Sequence, residues 1–106
     1  ALENKNGEFI TPSVESGALA LNGITLDENL AGTNPNPAAE GAYPIATLTW
    51  VLAYETGNGN KTEAIKTTLS TLLSENYQEK ASVLGYVPLS GDILEKSRAA
   101  VERIGK

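Results

Sequence analysis

A chain of 106 residues with 41% hydrophobic and 20% charged content and a net charge of −5 has room for one domain, or a piece of one, and does not read as disordered. It has neither Cys nor His, which excludes thiol nucleophiles, thiolate or imidazole metal sites and the usual imidazole base. Residues 1–60 carry one Lys against seven carboxylates, and residues 61–106 seven cations against six; neither half has the basic surface that nucleic-acid backbones require.

Asn6-Gly7 between short mixed stretches predicts a turn or hairpin within Ala1–Ile10. Thr11-Pro12 supplies an N-cap and a first-turn proline for a helix through Val14, Ala18 and Leu21 that stops at Asn22-Gly23. Ile24–Gly41 lacks periodicity and holds Gly32-Thr33-Asn34-Pro35-Asn36-Pro37, so it reads as a linker. Ile45–Tyr54 is the strongest strand signal. Ile45, Thr47, Thr49 and Val51 alternate with Leu48, Trp50, Leu52 and Tyr54, which predicts burial on both faces. A helix is the competing reading, since Pro44 suits a first turn, but the β-branched and aromatic content favours strand.

After a Gly/Asn loop, Asn60-Lys61-Thr62-Glu63 has capping-box spacing. It opens a helix over 61–75 with Ile65, Leu69, Leu72 and Leu73 along one side. A further helix over 76–84 ends at Gly85. Ser90 caps a last one, whose stripe is Ile93, Ser97, Ala100, Val101 and Ile104. A strand buried on both faces needs neighbours for its N–H and C=O groups, and this chain offers only a weak hairpin. The missing strands are expected from residues or chains outside these 106. The absence of an initiator Met and of a leader fits a start in mid-protein.

Several local patterns invite a site assignment and are better explained otherwise. Glu55-Thr56-Gly57-Asn58-Gly59-Asn60-Lys61-Thr62 sits between strand and helix as a phosphate-cradling loop does. It has Asn60 and Glu55 where that pattern needs Gly. Asn60-Lys61-Thr62 is a glycosylation sequon that helix capping explains as well. Asp27-Glu28-Asn29 lacks the Gly and terminal Glu of a calcium loop. Asp92 and Glu95 suit a helix N-terminus better than a carboxylate pair. Strand propensity accounts for Thr47 and Thr49, and packing for Trp50 and Tyr54.

Gly41-Ala42-Tyr43-Pro44-Ile45-Ala46-Thr47-Leu48-Thr49-Trp50-Val51-Leu52 and Leu84-Gly85-Tyr86-Val87-Pro88-Leu89-Ser90 together resemble the substrate-binding component of bacterial high-affinity phosphate ABC transporters. Phe9-Ile10-Thr11-Pro12-Ser13 also fits. The resemblance covers the whole chain but only the carboxy-terminal third of a family member. It implies an α/β fragment of a two-lobed periplasmic-binding-protein fold, with one buried strand, a weak hairpin, about four helices and an incomplete sheet. Residues 1–41 would be part of the second lobe plus linker, Ala42, Tyr43 and Pro44 the hinge crossing, and residues 45–106 the end of the first lobe.

The parent would be a binding protein and not an enzyme, periplasmic or otherwise extracytoplasmic, with a lipid anchor at a preceding amino terminus as one arrangement. Its partners would be inorganic phosphate, the missing amino-terminal portion and the membrane permease. It would need no cofactor. Family members hold phosphate with hydroxyls, helix N-terminal N–H groups, an Asp and an Arg from the earlier two thirds, so no ligand-binding residue carries over to this chain. The residues also fit an alternative, a secreted α/β interaction module that completes its sheet with a partner strand.

Overall fold

The computed structural model describes residues 1–106. The chain begins with a small antiparallel hairpin, β1 (Leu2–Glu3) and β2 (Phe9–Ile10), in which Leu2 faces Ile10 and Glu3 faces Phe9. Asn6-Gly7 makes the turn, as expected. Gly7 takes the left-handed conformation at φ 80° and donates its N–H to the Asn4 carbonyl at 3.0 Å, a role that suits glycine.

Helix α1 (Val14–Leu21) starts two residues later than the Thr11-Pro12 signal predicts. Its N-cap is Ser13, whose Oγ accepts from the Ser16 N–H at 3.1 Å, while Ser16 Oγ accepts from the Ser13 N–H at 3.0 Å. This reciprocal pair satisfies two free donors of the first turn. Gly17 is required on the helix face: a Cβ there would lie 2.6 Å from Val87 Cγ2. Residues 22–58 contain no helix or strand.

A 3-10 turn over Gly59–Lys61 leads into α2 (Thr62–Leu72), followed by α3 (Glu75–Val83) and α4 (Gly91–Arg103). The capping box expected at Asn60 does not form. Thr62 is buried, its Oγ1 donates to the Gly59 carbonyl at 2.8 Å, and the tighter turn takes the place of a side-chain cap. The Leu73 carbonyl at the end of α2 accepts from Arg98 Nη2 at 2.8 Å, placing a cation where the helix dipole is negative. Gly85, at φ 84°, follows α3, and Ser90 stands at the extended N-cap position of α4 without a side-chain bond.

Leu21, Ile24, Leu26, Leu48 and Ile93 form the main apolar cluster, and Val101 and Ile104 continue the buried stripe of α4. The cluster is small. Only 15 of 106 residues are buried, and the molecule measures 52 × 28 × 17 Å with a radius of gyration of 15.6 Å. A compact domain of this length has a radius near 13 Å. The shape is a plate one to two elements thick, with an α/β content of four helices and one hairpin.

The expected strand at Ile45–Tyr54 is corrected by the structure. It is neither laddered nor buried on both faces. No backbone N–H or C=O of residues 45–54 bonds to another backbone group, and no strand is formed there. Leu48 is buried, yet Ile45 is 71% exposed, Val51 69%, Leu52 95% and Tyr54 80%. The cause is physical: a strand is defined by its partners, and the two strands of the hairpin pair only with each other.

Candidate functional site: an open edge and a fastened crossing

Residues 45–53 form the shared wall of two open grooves. The first, of about 660 Å³, is closed on its other sides by α1 at Val14, Gly17 and Leu21 and by the Tyr86–Leu89 stretch. The second, of about 470 Å³, is bounded by α2 at Leu69, Leu72 and Leu73 and by α4 at Ile93 and Val101. Trp50 stands at its rim, and its indole Nε1 donates to the Leu30 carbonyl at 2.7 Å. Both grooves are predominantly apolar, and the wall between them presents unpaired backbone groups.

Neither groove is built to hold a small anion. The first holds no charged side chain; Ser13 is engaged with Ser16, Gln78 with the Leu72 carbonyl and the Leu89 N–H, and Thr47 Oγ1 with the Leu48 carbonyl at 3.3 Å, which leaves only the hydroxyls of Tyr43, Thr49 and Tyr86. The charges at the second are Glu28, Glu55 and Arg103, and Arg103 lies 3.9 Å from Glu55. A phosphate site needs converging donors in excess of carboxylates. These grooves suit apolar side chains and backbone edges.

The residues singled out in the sequence are placed as follows. Asp27 Oδ1 accepts from the N–H groups of Asn29 and Ala31 at 2.8 and 2.9 Å, closing a tight loop. Asp92 pairs with Lys96 at 3.0 Å, one turn along α4. Asn58, in the glycine loop, donates to the carbonyls of Tyr54 and Gly105, both at 2.9 Å, which ties that loop to the chain's end. Asn60 is exposed. No three acidic side chains converge, and no helix is long and apolar enough to cross a membrane.

Ala42, Tyr43 and Pro44 come together with side chains that lie far from them along the chain. Ala42 is 0% exposed and Asn4, in the hairpin, 3%. Asn4 Nδ2 donates to the Ala42 carbonyl at 3.4 Å and to Glu8 Oε2 at 2.8 Å. Glu8 Oε2 also accepts from the Gly41 N–H at 3.2 Å. Tyr43 N–H donates to the Ser16 carbonyl at 3.0 Å, and the Pro44 carbonyl accepts from the Asn36 N–H at 3.1 Å. The only sequence signal for this arrangement is the Asn6-Gly7 turn that brings Asn4 beside Glu8.

The Asn4 amide, with the Gly41 N–H second, holds the Glu8 carboxyl below its ordinary value of 4.5, against a smaller opposing effect of burial. Because the folded value is depressed, the stabilisation is complete above the unfolded value and is lost as pH falls through the folded one. Acidification below about pH 4.5 is therefore expected to loosen the Gly41 contact. A carboxyl chemical-shift titration that gives Glu8 an ordinary midpoint would contradict this, and Glu8→Gln should flatten the acid-side response.

These features define a class: an α/β chain of four helices and one hairpin, with an unpaired apolar segment between two open grooves. Sequence comparison gives the particular kind. The chain is 31% identical, over an alignment of 123 positions and 98% of its own length, to the phosphate-binding protein PstS of Methanocaldococcus jannaschii, and covers 30% of that protein. It is 30% identical over 93% of its length to the phosphate-binding protein PstS of Xylella fastidiosa, covering 28% of it. It thus resembles a segment of phosphate-binding proteins and spans less than a third of the length of these relatives. No family profile matches the chain.

Proposed function

We propose that this chain is the carboxy-terminal part of an extracytoplasmic solute-binding protein that captures inorganic phosphate and passes it to an ABC permease. Residues 1–41 belong to one lobe and its linker, Ala42–Pro44 cross between lobes, and residues 45–106 complete the other. The observation that carries this reading is the unpaired segment 45–53 between two apolar grooves, in a chain that aligns with under a third of a phosphate-binding protein. Strands from the remaining two thirds would take up the free N–H and C=O groups of residues 48–53 and fill both grooves, leaving residues 45–47 unpaired. Capture would proceed by lobe closure, stabilised by ligand contacts made only in the closed state. This chain would supply the lobe framework and the crossing, not the ligands.

The test is calorimetry with inorganic phosphate on the intact protein and on the 106-residue chain. The intact protein is expected to bind one phosphate at micromolar concentration or tighter, and the chain alone to give no saturable heat. One-to-one micromolar binding by the chain alone would refute the assignment of roles. Failure of the intact protein to bind phosphate would favour the alternative, an interaction module whose open edge takes a strand from another protein.

A further inference from the structure

We infer that Asn4 and Glu8 are positioning residues that fasten Gly41–Pro44 to the hairpin, so that rotation between lobes is taken up just downstream, in Ile45–Thr47. The use of this pivot in ligand capture rests on the solute-binding reading above; the fastening itself does not. The crossing is held from four directions. Glu8 takes the Gly41 N–H, Asn4 the Ala42 carbonyl, Ser16 the Tyr43 N–H and Asn36 the Pro44 carbonyl. The hairpin is in turn pinned to the linker, since Lys5 N–H donates to Asn36 Oδ1 at 3.0 Å and Asn6 Nδ2 to the Ala38 carbonyl at 3.1 Å.

Gly41 sits at φ 74° in a turn closed by the Ala42 N–H and the Ala39 carbonyl at 3.1 Å, the turn position that favours glycine. Bending at Gly41–Pro44 would break several of these bonds together, and the Pro44 ring fixes its own φ. The next anchor along the chain is Leu48, buried in the main cluster. Between Pro44 and Leu48 no backbone group is bonded to another. Hinge rotations concentrate in a few such residues between well-held bodies.

Asn4 allows a clean separation of roles. Its Oδ1 accepts from the Asn6 and Glu8 N–H groups, both at 3.0 Å, which shapes the hairpin turn. Its Nδ2 makes the bonds to Glu8 and Ala42. Asn4→Asp keeps the acceptor, removes the donor and sets a second carboxylate against Glu8. Glu8→Ala removes the Gly41 contact, and Glu8→Gln keeps an acceptor there.

The experiment uses the intact protein, with amide hydrogen exchange and spin-label distances between lobes measured with and without inorganic phosphate. Glu8→Ala should speed exchange at Gly41 about tenfold, the effect of losing its one bond, and Asn4→Asp, which takes the amide support from Glu8, should speed it by less. The Glu8 amide in Asn4→Asp should stay near wild type, and Glu8→Gln should recover most of the Gly41 protection. Ile45→Gly should broaden the phosphate-free distance distribution, whereas Ala39→Gly, in the hydrogen-bonded turn that leads into the fastened stretch, should leave it unchanged. Wild-type exchange at Gly41 in Glu8→Ala would overturn the fastening. Equal broadening by Ile45→Gly and Ala39→Gly would overturn the placement of the pivot. Absence of any phosphate-dependent distance change in the wild type would count against the solute-binding reading, while the Gly41 exchange rates would still decide the fastening.

Discussion

Purified without the additional portion that the proposed function requires, the 106-residue chain will self-associate through Leu48–Leu52 or remain partly unfolded, and in its unassociated form those amides will exchange rapidly. Those amides have no backbone partner. Ile45–Tyr54 contains neither a charge nor a Pro, the devices that usually keep an open edge from pairing with another chain. The plate around it buries too few residues to compensate for the ordering of 106, since fixing each residue costs on the order of 1–2 kcal/mol in backbone entropy. Light scattering should show species larger than a monomer, or exchange should show protection confined to the helices. Supplying the amino-terminal portion should give a monomeric complex with slow exchange at Leu48–Leu52. A stable monomer protected there without any partner would mean that the sheet closes from within these residues, and the fragment reading would fall.

Leu69→Ala in the intact protein should cost on the order of 2–5 kcal/mol. Leu69 is half-buried here, on the α2 wall of the second groove, facing the stretch that carries Trp50. If strands fill that groove, as the proposed function requires, the side chain becomes core, and its removal leaves a cavity that a packed sheet cannot close. Lys66→Ala is the contrast. Lys66 Nζ lies 3.5 Å from Glu102 Oε2 and donates to the Glu102 carbonyl at 3.2 Å, a largely solvated contact worth about 1 kcal/mol or less. Denaturant midpoints of the two variants give the comparison. A Leu69→Ala loss below about 0.5 kcal/mol would mean that this face of α2 stays open in the whole protein.

The local elements were legible where their determinants are close in sequence. The apolar stripe of α4, the stop at Gly85 and the Asn6-Gly7 turn all depend on residues within a turn or two of one another. The start of α1 was misplaced because two signals compete within three residues: Thr11-Pro12 has the composition of a cap, but Ser13 and Ser16 can satisfy each other's backbone N–H groups. The capping box at Asn60 failed for a related reason, since Thr62 reaches back to Gly59 and closes a 3-10 turn first.

Ile45–Tyr54 shows a different limit. Alternating apolar residues report what a segment can pair with, not whether a partner is present. The mismatch between that pattern and the rest of the chain is itself readable, and the segment forms no ladder here. The fastening of Ala42 by Asn4 was not readable at all, because 38 residues separate them and neither lies in a motif.

Trp50 is the chain's single tryptophan, and its position has an optical consequence. Its indole is 44% exposed and stands where incoming strands would exclude water, while Nε1 is already held by Leu30. Filling the groove would change the polarity around the ring without freeing its N–H. Emission from this one fluorophore would therefore shift to shorter wavelength as the sheet is completed, giving assembly an intrinsic spectroscopic readout that needs no attached dye.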